Sequence, residues 1–469
     1  MIRAELIAPF EYQLVDEHQP LAARVFADAT LIEAIMRDHS LQQLANVRAL
    51  PGVYGDVYGM PDMHEGYGFP VGGVAATELP DGAISPGGIG FDINCGVRLM
   101  TSNLDRASFA PLRERIVHDI SRTIPSGYGR GGRLALDDDA LCRVLASGCR
   151  ELVTHLGFGI AEDLEVIESG GALDGADPTA VSVRALARGR DQLGTLGGGN
   201  HFVEVGAVDT IFDADAAHVL GLRADQITLI VHTGSRGLGH QVCSDYLALM
   251  DTAQARYGIT LPDRQLACAP LSSPEGQRYF AAMRAAANFA FANRQLISHR
   301  VRAVFERHAH SPLRLVYDVG HNTAKLERHA GRELCVHRKG ATRAFGPANP
   351  ELPARYRRVG QPVFIPGSMG TASYVLLGTD AAEARSLASV CHGAGRVLSR
   401  GAAKRQVTGH ALRKELEARG ITVRCPSNAE LAEEAPEAYK DIDRVVDVVV
   451  GAGLARKVAR LVPLGVVKG

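Results

Sequence analysis

Tryptophan is missing from this chain, aromatic residues reach only 6%, and no run approaches the roughly 20 consecutive apolar residues that a membrane-spanning helix needs. A soluble protein is therefore expected, with no membrane partner. The N-terminal Met1-Ile-Arg-Ala-Glu-Leu lacks the form of a signal peptide, and the eight cysteines (95, 142, 149, 243, 268, 335, 391, 425) show no framework spacing. Reduced thiols and a cytoplasmic location follow as expectations. A formal net charge of -1 excludes a protein coated in basic residues, while a local basic groove would not show in that sum. No Ser/Pro-rich linker, charge run or internal repeat divides the 469 residues, so one large, continuous α/β body is expected.

What is abundant is glycine, 51 residues, as suits an enzyme with many tight loops. The segment Leu21 to Leu44 has helix-like apolar spacing, and Pro51-Gly52 breaks it before a Gly- and Asp-rich stretch, ending at Cys95, in which regular structure should be short. Three β-rich runs follow, His201 to Val205, Ile227 to His232 and Leu313 to His321, and histidines at strand ends can converge on one pocket. Ser273-Pro274-Glu275 reads as an N-cap, a first-turn proline and an early acid, opening a helix to about His308. Phe280, Met283, Ala287, Leu296, Val301 and Val304 make its packing stripe, while Arg294, Arg300, Arg302 and Arg307 read as a solvated face. Gly157 to Val181 reads as a surface excursion. Gln361 to Leu376 reads as strand, turn, strand, and a helix from about Ala381 should end near Cys391.

The chemistry concentrates at Gly87-Gly-Ile-Gly-Phe-Asp92-Ile-Asn-Cys95-Gly-Val-Arg98, where a carboxylate and a thiol stand three residues apart in a glycine-rich turn. With His201, His232 and His321 they supply one oxygen, one sulfur and three imidazoles, a set suited to manganese, zinc or iron. A thiolate between two cations can bridge them, and ions about 3.5 to 4 Å apart can clamp the entering and leaving oxygens of phosphoryl chemistry. Gly197-Gly-Gly-Asn200-His201 and Cys391-His392-Gly-Ala394-Gly395-Arg396 let backbone N–H groups approach phosphates. Arg236 and the run His337-Arg338-Lys339 through Arg343 add cations.

These motifs, in this order, resemble the RtcB family of RNA ligases over nearly the whole chain. They are Met60-Pro-Asp62-Met-His64, Ser85 to Arg98, Gly194 to Glu204, His232-Thr-Gly-Ser-Arg236, Asp318-Val-Gly-His321, Val336 to Arg343, the Gly367-Ser-Met-Gly turn, Cys391 to Arg396, and Pro463 to Gly469. Met63, Glu65 and Gly198 depart from the family pattern without removing a ligand or the nucleophile. The resemblance implies one catalytic domain over residues 1–469, mixed α/β, with sheets around a central metal and nucleotide pocket. It implies two manganese ions bridged by Cys95, with Asp92 and His201 on one and His232 and His321 on the other.

His392 would attack the α-phosphate of GTP, and the GMP would pass to an RNA 3'-phosphate, opened first if it is a 2',3'-cyclic phosphate. A 5'-hydroxyl end would then displace GMP, as in tRNA splicing or RNA repair. Glu204 would read guanine, Phe202 and Tyr439 would pack near the base, and Ser368, Ser373 and Lys468 would complete a pocket bounded by Ala394 and Gly395. Asn200 would hold a phosphate of the nucleotide, and Arg236, Lys339 and Arg396 would meet RNA phosphates. A monomer is expected on the resemblance, and the need for an archease-type activator stays open. Two other readings remain at this stage: a dinuclear metal phosphoesterase that joins nothing, and an RNA-end binding module without turnover.

Overall fold

The computed structural model describes residues 2–127, 129, 131–134, 136–347 and 349–469. Two large sheets position the residues of interest. The first runs, neighbour to neighbour, Arg314–Gly320, Gly96–Asp105, Gln226–Thr233, Phe202–Ile211, Ala455–Lys468, Ser373–Gly378 and Pro362–Ile365, with Thr422–Arg424 parallel to Ala455–Lys468. Its inner strands are buried on both faces, which is why Ile227-Thr-Leu-Ile-Val reads as a continuous apolar run rather than an alternating one. The second runs Arg3–Ala8, Glu11–Asp16, Gln19–Phe26, Val53–His64, Val71–Glu78, Arg332–Lys339 and Asn322–His329. The architecture is mixed α/β.

The chain passes from the first sheet to the second at His321, between Gly320 and Asn322. That corner is fixed by three backbone bonds: His321 N donates to Cys95 O (2.8 Å), Asn94 N to Asn322 O (2.7 Å), and Ala341 N to His321 O (3.1 Å). Two candidate metal-binding loops are thus joined before any side chain is considered.

Behind them lies the helix Pro274–Ala309. The Ser273 side chain accepts from Gly276 N at 3.1 Å, capping the helix as its sequence signature predicts. Every residue from Ala285 to Ser298 is buried, so this stretch runs through the interior and has no solvated face. Arg294 is accordingly not a surface cation. Its guanidinium donates to both oxygens of Asp318 (2.8 and 2.9 Å), to Asn94 O (2.8 Å) and to Thr233 O (2.9 Å). Arg98 joins the same carboxylate at 2.7 Å. Burial would raise the Asp318 pKa, but Arg294 and Arg98 together lower it below the usual carboxylate value. Arg302 is likewise held by Asp163, while Arg307 stays exposed beside Asp119.

Other expectations are corrected. Leu21 to Leu44 is the end of the strand Gln19–Phe26 followed by two short helices, Ala29–Ile35 and Ser40–Val47. The stretch up to Cys95 contains a 12-residue strand, Val53–His64, paired with Val71–Glu78. Residues 157–181 are no surface excursion: Glu168 is buried there and pairs with Lys325 (2.8 Å) and Arg343 (3.1 Å). The helix expected to reach Cys391 stops at Ser386, and Ser389–Cys391 is a strand paired with Ala341–Arg343.

Candidate active site

The strands Gly96–Asp105, Gln226–Thr233 and Phe202–Ile211 lie side by side, and their ends carry Cys95, His232 and His201 to one point. Cys95 Sγ is 3.3 Å from His201 Nε2 and 3.4 Å from His232 Nε2, while His232 Nε2 is 3.4 Å from His321 Nε2. Asp92 Oδ2 lies 2.8 Å from His201 Nε2. Two groups result, Asp92/Cys95/His201 and Cys95/His232/His321, each with ligand atoms within 4.8 Å of one another and with the thiol in common. Nitrogen and sulfur lone pairs converging in a buried space repel unless a proton or a cation stands between them, so the donor set fits a cation-binding cluster.

The electrostatics agree. Burial pushes the His232 and His321 pKa values well below normal, keeping both imidazoles neutral and able to donate lone pairs. Burial and the Asp92 charge push the Cys95 thiol well up, so a metal would have to displace its proton. Burial alone would raise Asp92, but His201 and Arg236 hold it at about 2. Gly234, just after His232 and Thr233, faces this carboxylate: a Cβ there would come within 2.6 Å of Asp92 Cγ.

His392 follows the strand Ser389–Cys391, and its ring centroid is 4.8 Å from that of His321. Its Nδ1 lies 2.6 Å from Oδ2 of Asp62, which also accepts from the His392 backbone N–H at 3.2 Å. Asp62 is fully buried and sits in the strand Val53–His64. Lys440 holds that strand, donating to Pro61 O (3.0 Å) and Met63 O (2.6 Å) on either side of Asp62. Nδ1 is not in hydrogen-bond geometry with the carboxylate, but the negative charge at this distance favours a proton on Nδ1 and leaves the Nε2 lone pair for chemistry. Sequence alone assigns Asp62 no role, because its partner lies 330 positions away. Gly395 has φ +75°, and a Cβ there would collide with the Asp62 backbone, so this glycine lets the His392 loop approach the carboxylate.

A cavity of about 830 Å³ contains Asp92, Cys95, Asn200, His201, His232, Arg236, His321, Lys339 and His392 in its lining. Arg236, at the start of the helix Arg236–Ala253, is oriented by Thr195 Oγ1 (3.2 Å) and Leu196 O (3.0 Å). Lys339 donates to Tyr67 O and Phe69 O, both at 2.8 Å, and burial draws its pKa down to about 7.

The remaining sequence candidates form a second group. Phe202 pairs in register with Lys468, and Glu204 with Val466. Lys468 Nζ stands 5.5 Å from the Phe202 ring centroid, and the Phe202 ring meets the His232 ring at 5.4 Å. Glu204 Oε1 is buried without a hydrogen-bond partner, and burial raises this carboxyl to about 8 despite Lys468 nearby. Tyr439 and Arg396 contact each other (3.0 Å) and share buried Glu434; Lys468 Nζ is 3.9 Å from the same carboxylate. Glu434 was not foreseen from the sequence. Arg396 thus faces Glu434 and Tyr439 rather than the lining of the cavity above. Ser368 and Ser373 bracket the turn between Pro362–Ile365 and Ser373–Gly378, where Ser373 Oγ accepts from Gly367 N at 3.2 Å. Ala394 is buried between His392 and Arg396.

Shared-thiol ligand groups, a histidine beside a buried carboxylate and a cation-lined cavity fit the class of metal-dependent phosphoryl-transfer enzymes. The family pattern described as tRNA-splicing ligase RtcB matches residues 43–469, and the chain belongs to that family. It is 50% identical to the tRNA-splicing ligase RtcB of Archaeoglobus fulgidus, over 99% of this chain and 98% of that protein. It is 52% identical to the tRNA-splicing ligase RtcB of Thermococcus kodakarensis (98% and 97%), and 53% identical to the RNA-splicing ligase RtcB of Mycobacterium tuberculosis (91% and 100%).

Proposed function

We propose that this RNA ligase joins an RNA 3'-phosphate or 2',3'-cyclic phosphate end to a 5'-hydroxyl end, using GTP and two manganese ions, with the whole chain acting as one catalytic unit. The observation that carries the reading is the Asp62–His392 contact at 2.6 Å beside the shared-thiol cluster. A dinuclear metal phosphoesterase would need the ligand cluster but not His392, whereas the histidine–GMP route to ligation needs both.

The Asp62 carboxylate beside Nδ1 favours a proton there, so His392 Nε2 attacks the α-phosphorus of GTP. A P–N bond forms, the bond to the bridging oxygen breaks, and pyrophosphate leaves. Attack by an RNA 3'-phosphate oxygen then transfers GMP from the histidine, and attack by the 5'-hydroxyl expels GMP as the RNA phosphodiester forms. Manganese, held by Asp92, Cys95, His201, His232 and His321, would supply charge neutralisation for the phosphates. Asn200 and Arg236 line the cavity where phosphates would lie, and Lys339 borders it.

The unpartnered Glu204 Oε1 supports a guanine site, because N1–H and N2–H₂ would supply the donors that the protein does not. Phe202 and Tyr439 would pack near the base and Lys468 would complete the pocket, with Ser368, Ser373, Ala394 and Gly395 as further candidates. Arg396 is kept as an RNA-phosphate candidate that would have to leave Glu434 to serve. A cytoplasmic monomer fits this role.

The test is incubation with manganese and α-labelled GTP. An acid-labile, base-stable protein adduct is expected from the native chain and not from His392→Ala. Joining of RNA by a native chain that forms no adduct would overturn the mechanism.

A further inference from the structure

A second cavity, of about 450 Å³, adjoins the reactive one, and Phe91 lines both. Phe91 directly precedes Asp92 of the ligand cluster. Its ring stacks on His240 (centroids 4.8 Å apart, planes 28° apart) and meets the edge of Tyr67 (5.4 Å, 70°). His240 and Tyr67 are exposed and Phe91 is half-buried at the edge of the core, so this aromatic group forms a lip between the two spaces. The second cavity continues along Leu247 and Ala248 of the helix Arg236–Ala253 and along Ala267, with Ser244 and Gln265 as polar edges. Its two ionic side chains, Arg264 and Asp251, neutralise each other through paired contacts at 2.8 and 2.5 Å. The reactive cavity is lined by charged groups, the guanidinium groups of Arg188, Arg236 and Arg400 together with Lys339, Asp92 and Asp191, and the neighbouring one holds rings and apolar walls. The two are tied mechanically, because Lys339 donates to the backbone of Tyr67 and Phe69.

We propose that the second cavity receives one unpaired nucleobase of the RNA, from a nucleotide flanking the joint, stacked against Phe91 and Tyr67 while its phosphates lie in the reactive cavity. Single-stranded RNA is commonly bound this way, with cations tracking the backbone and aromatic faces taking splayed bases. The volume suits a base with its ribose better than a phosphate cluster, and the neutral lining offers little to a second anion. Stacking tolerates any base, so the site favours an unpaired end over a duplex end rather than one sequence over another.

This inference rests on the RNA-joining reading, and the experiment separates the two. RNA pairs carry a single abasic residue at each of the last three positions of the 3'-phosphate strand or the first three of the 5'-hydroxyl strand. Ligation is measured for the native chain, Tyr67→Ala and Phe91→Leu, alongside guanylylation, which requires no RNA. One abasic position should raise the native KM by on the order of tenfold. The variants should show a similar rise with intact RNA, and the same abasic position should add less than twofold to it. Variants whose KM for RNA is unchanged, or whose guanylylation falls as far as their ligation, would overturn the proposal. So would losses that multiply at every abasic position, the result expected if a protein segment rather than a base fills the cavity. Failure of the native chain to guanylylate would instead count against the functional reading.

Discussion

Asp62 and Glu204 show how single buried carboxylates take opposite tasks from their surroundings. Asp62 accepts from the His392 backbone N–H and sets its charge 2.6 Å from Nδ1, and Asp62→Asn would remove the charge that favours this tautomer. Adduct formation should slow on the order of 10²-fold while metal content stays native; an unchanged single-turnover rate would remove Asp62 from that role. Glu204 Oε1 receives no donor from the protein, and burial raises this carboxyl to about 8, so it is mostly protonated at pH 7. Guanine donors favour the carboxylate form, so GTP binding at pH 7 should release close to one proton. Affinity should rise as pH climbs toward about 8 and level off above it. Glu204→Gln should abolish both the proton release and the pH dependence, and should relax preference for GTP over ATP. Calorimetry in buffers of different ionisation enthalpy measures the release; none in the native protein would take Glu204 away from the base. Neither the Asp62–His392 contact nor the Glu434–Lys468 contact was legible in the sequence, since the first spans 330 positions and the second forms only when the strand Ala455–Lys468 is in place.

Among the elements, the helix Pro274–Ala309 is the one whose bounds the sequence predicts most closely, because cap, proline and acid are local signals. What those signals cannot report is which side faces water, and Arg294 is the consequence. Arg294→Met should leave Asp318 buried with Arg98 as its remaining charged partner and free the carbonyls of Asn94 and Thr233. A loss of about 3–5 kcal/mol in denaturant unfolding of metal-stripped protein is expected, and a loss below about 1 kcal/mol would show that the pairing does not pin these loops. Leu21 to Leu44 was misread for the opposite reason: apolar spacing across Gln19–Phe26 and the next two helices happens to match one helical period. Glycines in Val53–His64 hid a long strand by breaking its alternation. The three histidine-bearing runs were readable because β-branched residues mark central strands whatever lies at their ends.

Taken as a whole, the molecule keeps a formal net charge of -1 while gathering cations in one cavity, so RNA affinity should fall steeply with salt although the protein itself is nearly neutral. No helix among the described residues is long and apolar enough to cross a membrane. Ligand atoms from four separated segments meet at the cluster, so manganese should stabilise the entire fold, by about 2.7 kcal/mol at a concentration 100 times its Kd. Cys95→Ala removes the thiol common to both groups and should abolish that increase in Tm together with the adduct. Normal metal content in the variant would count against a bridging sulfur. Because Arg294 grips the segments bearing Cys95, His232 and His321 from behind, these three loops are not independent parts. A deletion or insertion in any one of them must be answered on the helix. Attempts to retune the enzyme toward another cation should therefore exchange donor atoms in place and leave loop lengths untouched.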